Sequence, residues 1–306
     1  MLSRLSFTAR IFLASALLVA VALGVSAAAT YTRGYAIARD AANASLDHSR
    51  AVQQDLQKLR FQQLKLMSAI LASDPAFLSY VTEAGGNGLG GGTVDTRSIT
   101  DLLTERQGEI GFDFGMVLDP SGALLAESGG STTHENLATD AVVAAALQSQ
   151  SPHSGYWLRD GHAYQVAVAP LANRDELAGY LVLGLDVDQA LLQDVKQVSG
   201  AELVLLNTGA GAATVVGSTL DPQKLEALDQ ALAARHPLPT GRFELAAGGE
   251  QWLAYAEPLG AAGTALTITS FDQAVAGFRA ILTDQLVTAL VALLIAIALS
   301  GWLSHR

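Results

Sequence analysis

The chain contains no cysteine. That excludes a disulfide framework and any thiol chemistry, so an exported domain would have to stand on packing alone. Histidine is scarce. His48, His134, His153, His162, His236 and His305 include no pair at i, i+4 and no His-Glu-x-x-His, so no zinc site is expected. There is no Gly-x-Ser-x-Gly elbow for a serine nucleophile. Asp113-Phe114-Gly115 spells a kinase magnesium triplet, but without the His-Arg-Asp loop or the strand lysine that would give it meaning. The glycine-rich stretch from Gly85 to Gly92 has no strand before it, no helix opening on it and no Lys-Ser/Thr after it, so it is a loop and not a phosphate cradle. No catalytic constellation, metal site or cofactor is expected.

Basic residues are also few: 18, against 29 acidic ones. All of the acids lie between Asp40 and Asp284, while Arg4, Arg10 and Arg306 lie outside the middle of the chain. Residues 33–284 therefore carry 15 basic against 29 acidic groups, a formal charge of −14. Such a surface argues against nucleic acid and against flat docking on anionic lipid. Charge is missing altogether from two runs, the 22 residues 11–32 and the 20 residues 285–304. About 20 apolar residues cross a bilayer as a helix. With basic outer flanks, both ends are expected in the cytoplasm and residues 33–284 in the periplasm or outside the cell. A rival for the first run is a signal peptide cut near Ala27-Ala28-Ala29. The expected division is 1–10 as a cytoplasmic end, 11–32 and 272–304 as spans (the latter with an exit helix), 33–73 as a stalk, and 74–199 and 200–271 as two domains.

Proline is absent before Pro75. The stretch from Ile11 to Ser73 accordingly reads as one continuous helix, ended by Asp74-Pro75. Its outer part carries a stripe, Val52, Leu56, Leu59, Gln63, Leu66 and Ile70, at alternating spacings of four and three. A stripe of that period suits a second copy in a homodimer or the chain's own downstream domain.

Beyond the stalk the chain is built on a repeat. Pro75 to Glu83 and Ser98 to Ile110 read as helices. Strands at Gly115 to Leu118 and Leu124 to Glu127 flank a turn at Asp119-Pro120-Ser121-Gly122. A helix at Asp140 to Gln148 precedes a hairpin of Tyr156 to Arg159 and His162 to Ala169 around Asp160-Gly161, closed by Pro170. Tyr180 to Asp186 is a strand, and Asp188 to Val198 a helix. The pattern then recurs. Strands at Glu202 to Leu206 and Ala213 to Gly217 precede a helix at Asp221 to Arg235. A hairpin of Arg242 to Leu245 and Gln251 to Ala256 around Gly248-Gly249 is closed by Pro258, and Leu266 to Phe271 is the last strand. YQVAVAP at 164–170 lies over WLAYAEP at 252–258, and LDVDQA at 185–190 over SFDQA at 270–274. Two copies of one antiparallel unit give an α+β fold of two tandem sheets beside a long helix.

Ala69 to Leu78 (AILASDPAFL), Phe114 to Leu125 (FGMVLDPSGALL), Asp160 to Pro170 (DGHAYQVAVAP) and Gly179 to Ala190 (GYLVLGLDVDQA) resemble the double-Cache extracytoplasmic sensors of bacterial receptors. The resemblance covers roughly Leu46 to Phe271. It implies two PAS-like sheets held between two membrane spans, no enzyme activity in this part, and a ligand in the membrane-distal sheet. It covers the input half; an output kinase, cyclase or methyl-accepting domain is either absent or lies beyond Arg306. In the first repeat, Trp157 and Arg159 share one face of a strand and Tyr156 and Leu158 the other. Tyr164 faces with Val166 and Val168, and Asp186 ends a core strand. Arg159 with Trp157 and Tyr164 would clamp a carboxylate-bearing small molecule, with Tyr156 and Asp186 nearby. The alternative is that Tyr164 and its counterpart Trp252 fill the core while Arg159 is solvated beside the turn. The aromatic clamp of amino-acid-binding double-Cache receptors is not visible. Two functions remain open: a dimeric sensory input module, or a membrane-anchored adaptor presenting its domain to a partner receptor.

Overall fold

Helix-prone sequence without proline gives helix α1, Phe7–Ala72, 66 residues long. The computed structural model describes residues 7–84, 95–129, 135–173, 176–209, 213–235, 237–261 and 263–273, with scattered positions from 275 to 295. Among the described residues no helix is long and apolar enough to cross a membrane. The side chains of residues 1–20 and most of the expected span at 285–304 lie outside that description, as does the loop at 85–92.

Asp74 stops α1 and starts α2, Pro75–Ala84: its Oδ1 accepts from the Ala76 N–H at 2.9 Å. Helix α3, Thr96–Ile110, opens on Asp95 and closes on Gly111 at φ 83°, where a left-handed residue is needed. Strands β1 (Phe114–Leu118) and β2 (Leu124–Glu127) turn at Asp119, whose Oδ1 accepts from the Ser121 and Ala123 N–H groups. Helix α4, Ala141–Ser149, is capped by Asp140. Strands β3 (His153–Arg159) and β4 (His162–Asn173) join through Asp160 and Gly161, at φ 52° and 79°, the two positive angles of a tight hairpin. Strand β5 is Glu176–Asp186 and helix α5, Gln189–Ser199, is capped by Asp188. The second half supplies β6 (Glu202–Asn207), β7 (Thr214–Ser218), α6 (Pro222–Ala233, capped by Asp221), β8 (Gly241–Ala247), β9 (Glu250–Leu259) and β10 (Gly263–Ser270).

The strands form two five-stranded antiparallel sheets, β2-β1-β5-β4-β3 and β7-β6-β10-β9-β8. Adding five to each strand number of the first gives the second, so the repeat read from sequence is a repeat of topology. Two proline readings need correction. Pro170 lies inside β4 and Pro258 inside β9 instead of ending them. The register explains Pro170: β3 ends opposite Val168, so β4 beyond it has a bare edge, where a missing N–H leaves no neighbour unpaired.

The chain divides into two compact units. The smaller gathers Met1–Ser45, Gly249–Leu253 and Thr269–Arg306. Within it Tyr35 meets Phe271 edge-on, ring centres 5.2 Å apart, and the Gln251 N–H donates to Asp272 Oδ2 at 2.7 Å. The larger unit holds Leu46–Gly248 and Ala254–Ile268. In it both faces of the first sheet are covered. Val117, Ala167, Leu181 and Leu183 pack on Leu64 and Leu71 of α1, Phe77 of α2 and Leu103 of α3. On the opposite face Met116, Val166, Val168, Tyr180 and Val182 pack on Val143 and Ala146 of α4.

Helix α1 buries a partly polar seam in this unit. Ser49 Oγ donates to the Ser199 carbonyl at 2.6 Å, and Thr267 Oγ1 donates to Gln53 Oε1 at 2.6 Å. The apolar stripe lies elsewhere on the helix. Val52 and Leu56 are half-buried, but Leu59, Leu66 and Ile70 are 62%, 62% and 58% exposed. Packing on the chain's own domain therefore does not account for the stripe's outer half.

Candidate functional site

Alternation along β3 and β4 and the register between them decide which expected residues meet. Trp157 pairs with Tyr164, and Tyr164 pairs with Asp186, so the three stand in one row across β3, β4 and β5. Arg159 is two residues on from Trp157, on the same face, opposite His162. Tyr156 points the other way. Its ring meets Phe61 of α1 edge-on at 5.2 Å, and its hydroxyl accepts from Gln165 Nε2 at 3.0 Å. The structure thus brings Trp157, Arg159, Tyr164 and Asp186 to one face and sends Tyr156 to the opposite one.

Phe114 organises that face and was not anticipated as a site residue. It pairs with Gly184, and its ring lies where a Gly184 side chain would be. From there it stacks on Trp157 at 5.9 Å and meets Tyr164 edge-on at 5.0 Å. A matching accommodation occurs at Gly155, where a Cβ would stand 2.6 Å from Val142 Cγ2 of α4. Beside them a cleft of about 320 Å³ is lined by Glu135, Thr139 and Asp140 of the segment leading into α4, by Tyr156, Trp157 and Arg159 of β3 and by residues 259–261; Phe114, Tyr164 and Asp186 are not part of its lining. Its volume falls at the lower end of small-molecule sites.

The electrostatics of the cleft differ from expectation. Arg159 Nη1 donates to Glu127 Oε1 at 3.3 Å, Nη2 lies 3.7 Å from Glu135 Oε2, and Nε lies 3.6 Å from Asp160 Oδ2. One guanidinium therefore serves three carboxylates. Arg159, expected to clamp a ligand carboxylate, is engaged by three carboxylates of the chain itself. Burial pushes the Glu127 carboxyl above its ordinary range, against the pull of Arg159 and with a further push from Glu135 and Asp160. Asp186 is raised in the same direction, chiefly by burial; His162 Nδ1 lies 3.5 Å from its Oδ2 and opposes the shift. Tyr164 is raised too, by burial first and by Asp186 second. Two of the buried polar atoms left without a partner among the described residues lie here: the indole Nε1 of Trp157 and Oε2 of Glu127. Unpaired buried groups of this kind cost roughly 1–3 kcal/mol each. Glu127 and Glu135 carried no sequence signal as site residues, since 32 positions separate Glu127 from Arg159 and only the strand order joins them. Among the described residues no cluster of histidine, aspartate or glutamate has the geometry to hold a metal.

The described residues hold two sheets of one strand order in a chain that opens on a long helix. Residues 94–206, from the start of α3 to the end of β6, match the CHASE4 domain. Nothing among curated proteins matches the sequence. Among solved structures the chain is similar to the ligand-binding domain of the Campylobacter jejuni chemoreceptor Tlp3 in complex with 4-methylisoleucine. That likeness has 13% identity and a TM-score of 0.46 over 79% of this chain and 94% of that one. It is also similar to the sensor domain of the V. cholerae histidine kinase DctB, with 14% identity and a TM-score of 0.46 over 77% and 97% of the two chains. A domain of a putative sensory box/GGDEF family protein from Vibrio parahaemolyticus is similar at 12% identity and a TM-score of 0.46, over 78% and 98%.

Proposed function

We propose that this chain is the extracytoplasmic sensory input module of a bacterial transmembrane signal-transduction receptor. The observation that carries the reading is the CHASE4 match over 94–206, which falls on the sheet holding the Trp157–Arg159 cleft. In this reading residues 11–32 and 285–304 are the spans, 33–284 stand outside the cytoplasm, 74–199 form the membrane-distal domain and 200–271 the proximal one. The exposed stripe of Leu59, Leu66 and Ile70 pairs two copies as a homodimer. A small molecule enters the cleft, donates to the carboxylates around Arg159 and offers an acceptor to Trp157 Nε1. The acid excess favours a ligand carrying an amino or other donor group over a bare carboxylate. Binding favours one of two arrangements of the sheet and helix, and the difference passes to the second span.

The test is a thermal-shift screen of amines, amino acids and organic acids on the purified full chain. The expected result is a hit of the amine-bearing class whose shift falls at least tenfold in dose on Glu135→Gln, a half-exposed site with little role in the core. A hit confined to simple carboxylates, with Glu135→Gln unaffected, would overturn the site assignment. Topology is checked separately. The chain has no native cysteine, so a single cysteine at Gly248 should react with an impermeant thiol reagent in intact cells.

A further inference from the structure

The opposite face of the same sheet holds a second cavity, of about 330 Å³, lying wholly within the larger unit. Leu56 and Leu59 of α1, Leu191 and Val195 of α5 and Leu203 and Leu205 of β6 supply the apolar part of its wall, and Gln53, Gln57 and Gln63 of α1 also line it. Gln165, 2% exposed, lines the cavity, and its Oε1 is buried without a partner among the described residues. Its Nε2 is already committed to the Tyr156 hydroxyl. Tyr156 is itself so shielded that its phenol is pushed up to about 12, burial being the main cause, so it stays a neutral O–H with a hydrogen to donate. Arg60 also lines the cavity, with Nη2 donating to the Asp186 carbonyl at 3.3 Å, and Asp194 lines it as the opposing charge. The lining charges, one of each sign, give no net preference for an ion.

Core positions facing apolar side chains are ordinarily filled by apolar residues, and a buried amide oxygen left unpaired is destabilising. An occupant that donates to Gln165 Oε1 removes that cost. If its head group also accepts, it takes the Tyr156 hydrogen. An apolar body fits the leucine and valine part of the wall. We infer that this cavity is a second ligand site, distinct from the Trp157 cleft, for a small neutral molecule with an apolar body and a head group that both donates and accepts, a hydroxyl or a primary amide. The site does not depend on the sensory reading of the cleft. Tyr156 and Leu259 line both spaces, but Gln165 lies on the far face from Trp157.

The probes are 1-octanol, which donates and accepts, and octyl methyl ether, which only accepts. Each is titrated into the purified full chain and into variants, with the unfolding midpoint as readout and the same detergent throughout, so that partitioning cancels between proteins. The wild type is expected to respond to octanol with a saturable rise in midpoint and to require at least a fivefold higher concentration of the ether. Gln165→Leu, close in size, should respond equally to both. Leu191→Trp, which fills the cavity from a half-buried position, should respond to neither. Glu135→Gln, in the other cleft, should retain the full octanol response, so failure at one site is read independently of the other. Equal responses of the wild type to octanol and ether, or a wild-type response no larger than that of Leu191→Trp, would overturn the inference.

Discussion

Replacing Gly184 by alanine tests the aromatic arrangement at the cleft directly. A methyl group there would fall within the van der Waals envelope of the Phe114 ring, which lies over the glycine in the neighbouring strand. The ring cannot simply swing aside, because Trp157 stacks on it and Tyr164 meets it edge-on. Overpacking of a filled site costs about 1–3 kcal/mol. Against this, removing a glycine from a strand interior gains roughly 0.5–1 kcal/mol. The net loss is then about 0–2.5 kcal/mol, a fall in midpoint of up to roughly 10 °C at ~2–4 °C per kcal/mol for a domain of this size. Gly108 is the control. It lies in α3 with open space where its Cβ would be, so Gly108→Ala should raise the midpoint instead. Near-ultraviolet circular dichroism should change in Gly184→Ala and not in Gly108→Ala, since only the former disturbs the stacked rings. Should Gly184→Ala stabilise the protein as Gly108→Ala does, with an unchanged aromatic spectrum, Phe114 would not be held as described.

Three further outcomes are expected. The Glu127 carboxyl titrates above its ordinary value of 4.5 in the fold, so it holds its proton more tightly folded than unfolded. Its contribution is therefore full below the unfolded value and lost as pH rises through the folded one, and the midpoint of wild type minus that of Glu127→Gln should fall as pH is raised from about 4 to 7; a difference that grows with pH would refute the burial account. Cysteine at Leu59 should cross-link between subunits more readily than cysteine at Gln62, which is off the stripe, and equal yields would remove the stripe from any dimer contact. Asp188→Ala removes the acceptor for the Leu191 N–H at the start of α5 and should cost about 1 kcal/mol, read as a lower midpoint in denaturant.

Much of the fold was legible because the chain marks its boundaries locally. Asp140, Asp188 and Asp221 each cap a helix that the apolar pattern also announces, and Asp160-Gly161 sets a hairpin by backbone preference alone. The repeat was legible because strand order follows from like sequences in like places. The prolines misled for a physical reason. A proline ends a strand only where its N–H was needed, and whether an edge is bare depends on where the neighbouring strand stops, which Pro170 does not reveal. The site was half legible. Alternation put Trp157 with Arg159 and apart from Tyr156. Pairing across strands was not accessible, and so neither the Phe114 ring over Gly184 nor the Glu127 partner of Arg159 was visible. Both depend on β1 lying beside β5, and the charge character of the cleft depends on them.

The polar seam of α1 limits how that helix can move. A slide by one turn is about 5.4 Å, far beyond what a hydrogen bond tolerates. It would strand Ser49 from Ser199 and Gln53 from Thr267 at once, leaving buried hydroxyls and amides unmatched. On the N-terminal side the next buried position is the apolar Leu46, so a slide that brings it to Ser199 offers no replacement. Over this stretch the helix behaves as a shaft keyed to its bearing. Displacements small enough to keep both bonds, a tilt or a slight rotation shared with the sheet, pass along it; a piston stroke of a full turn first has to break the key.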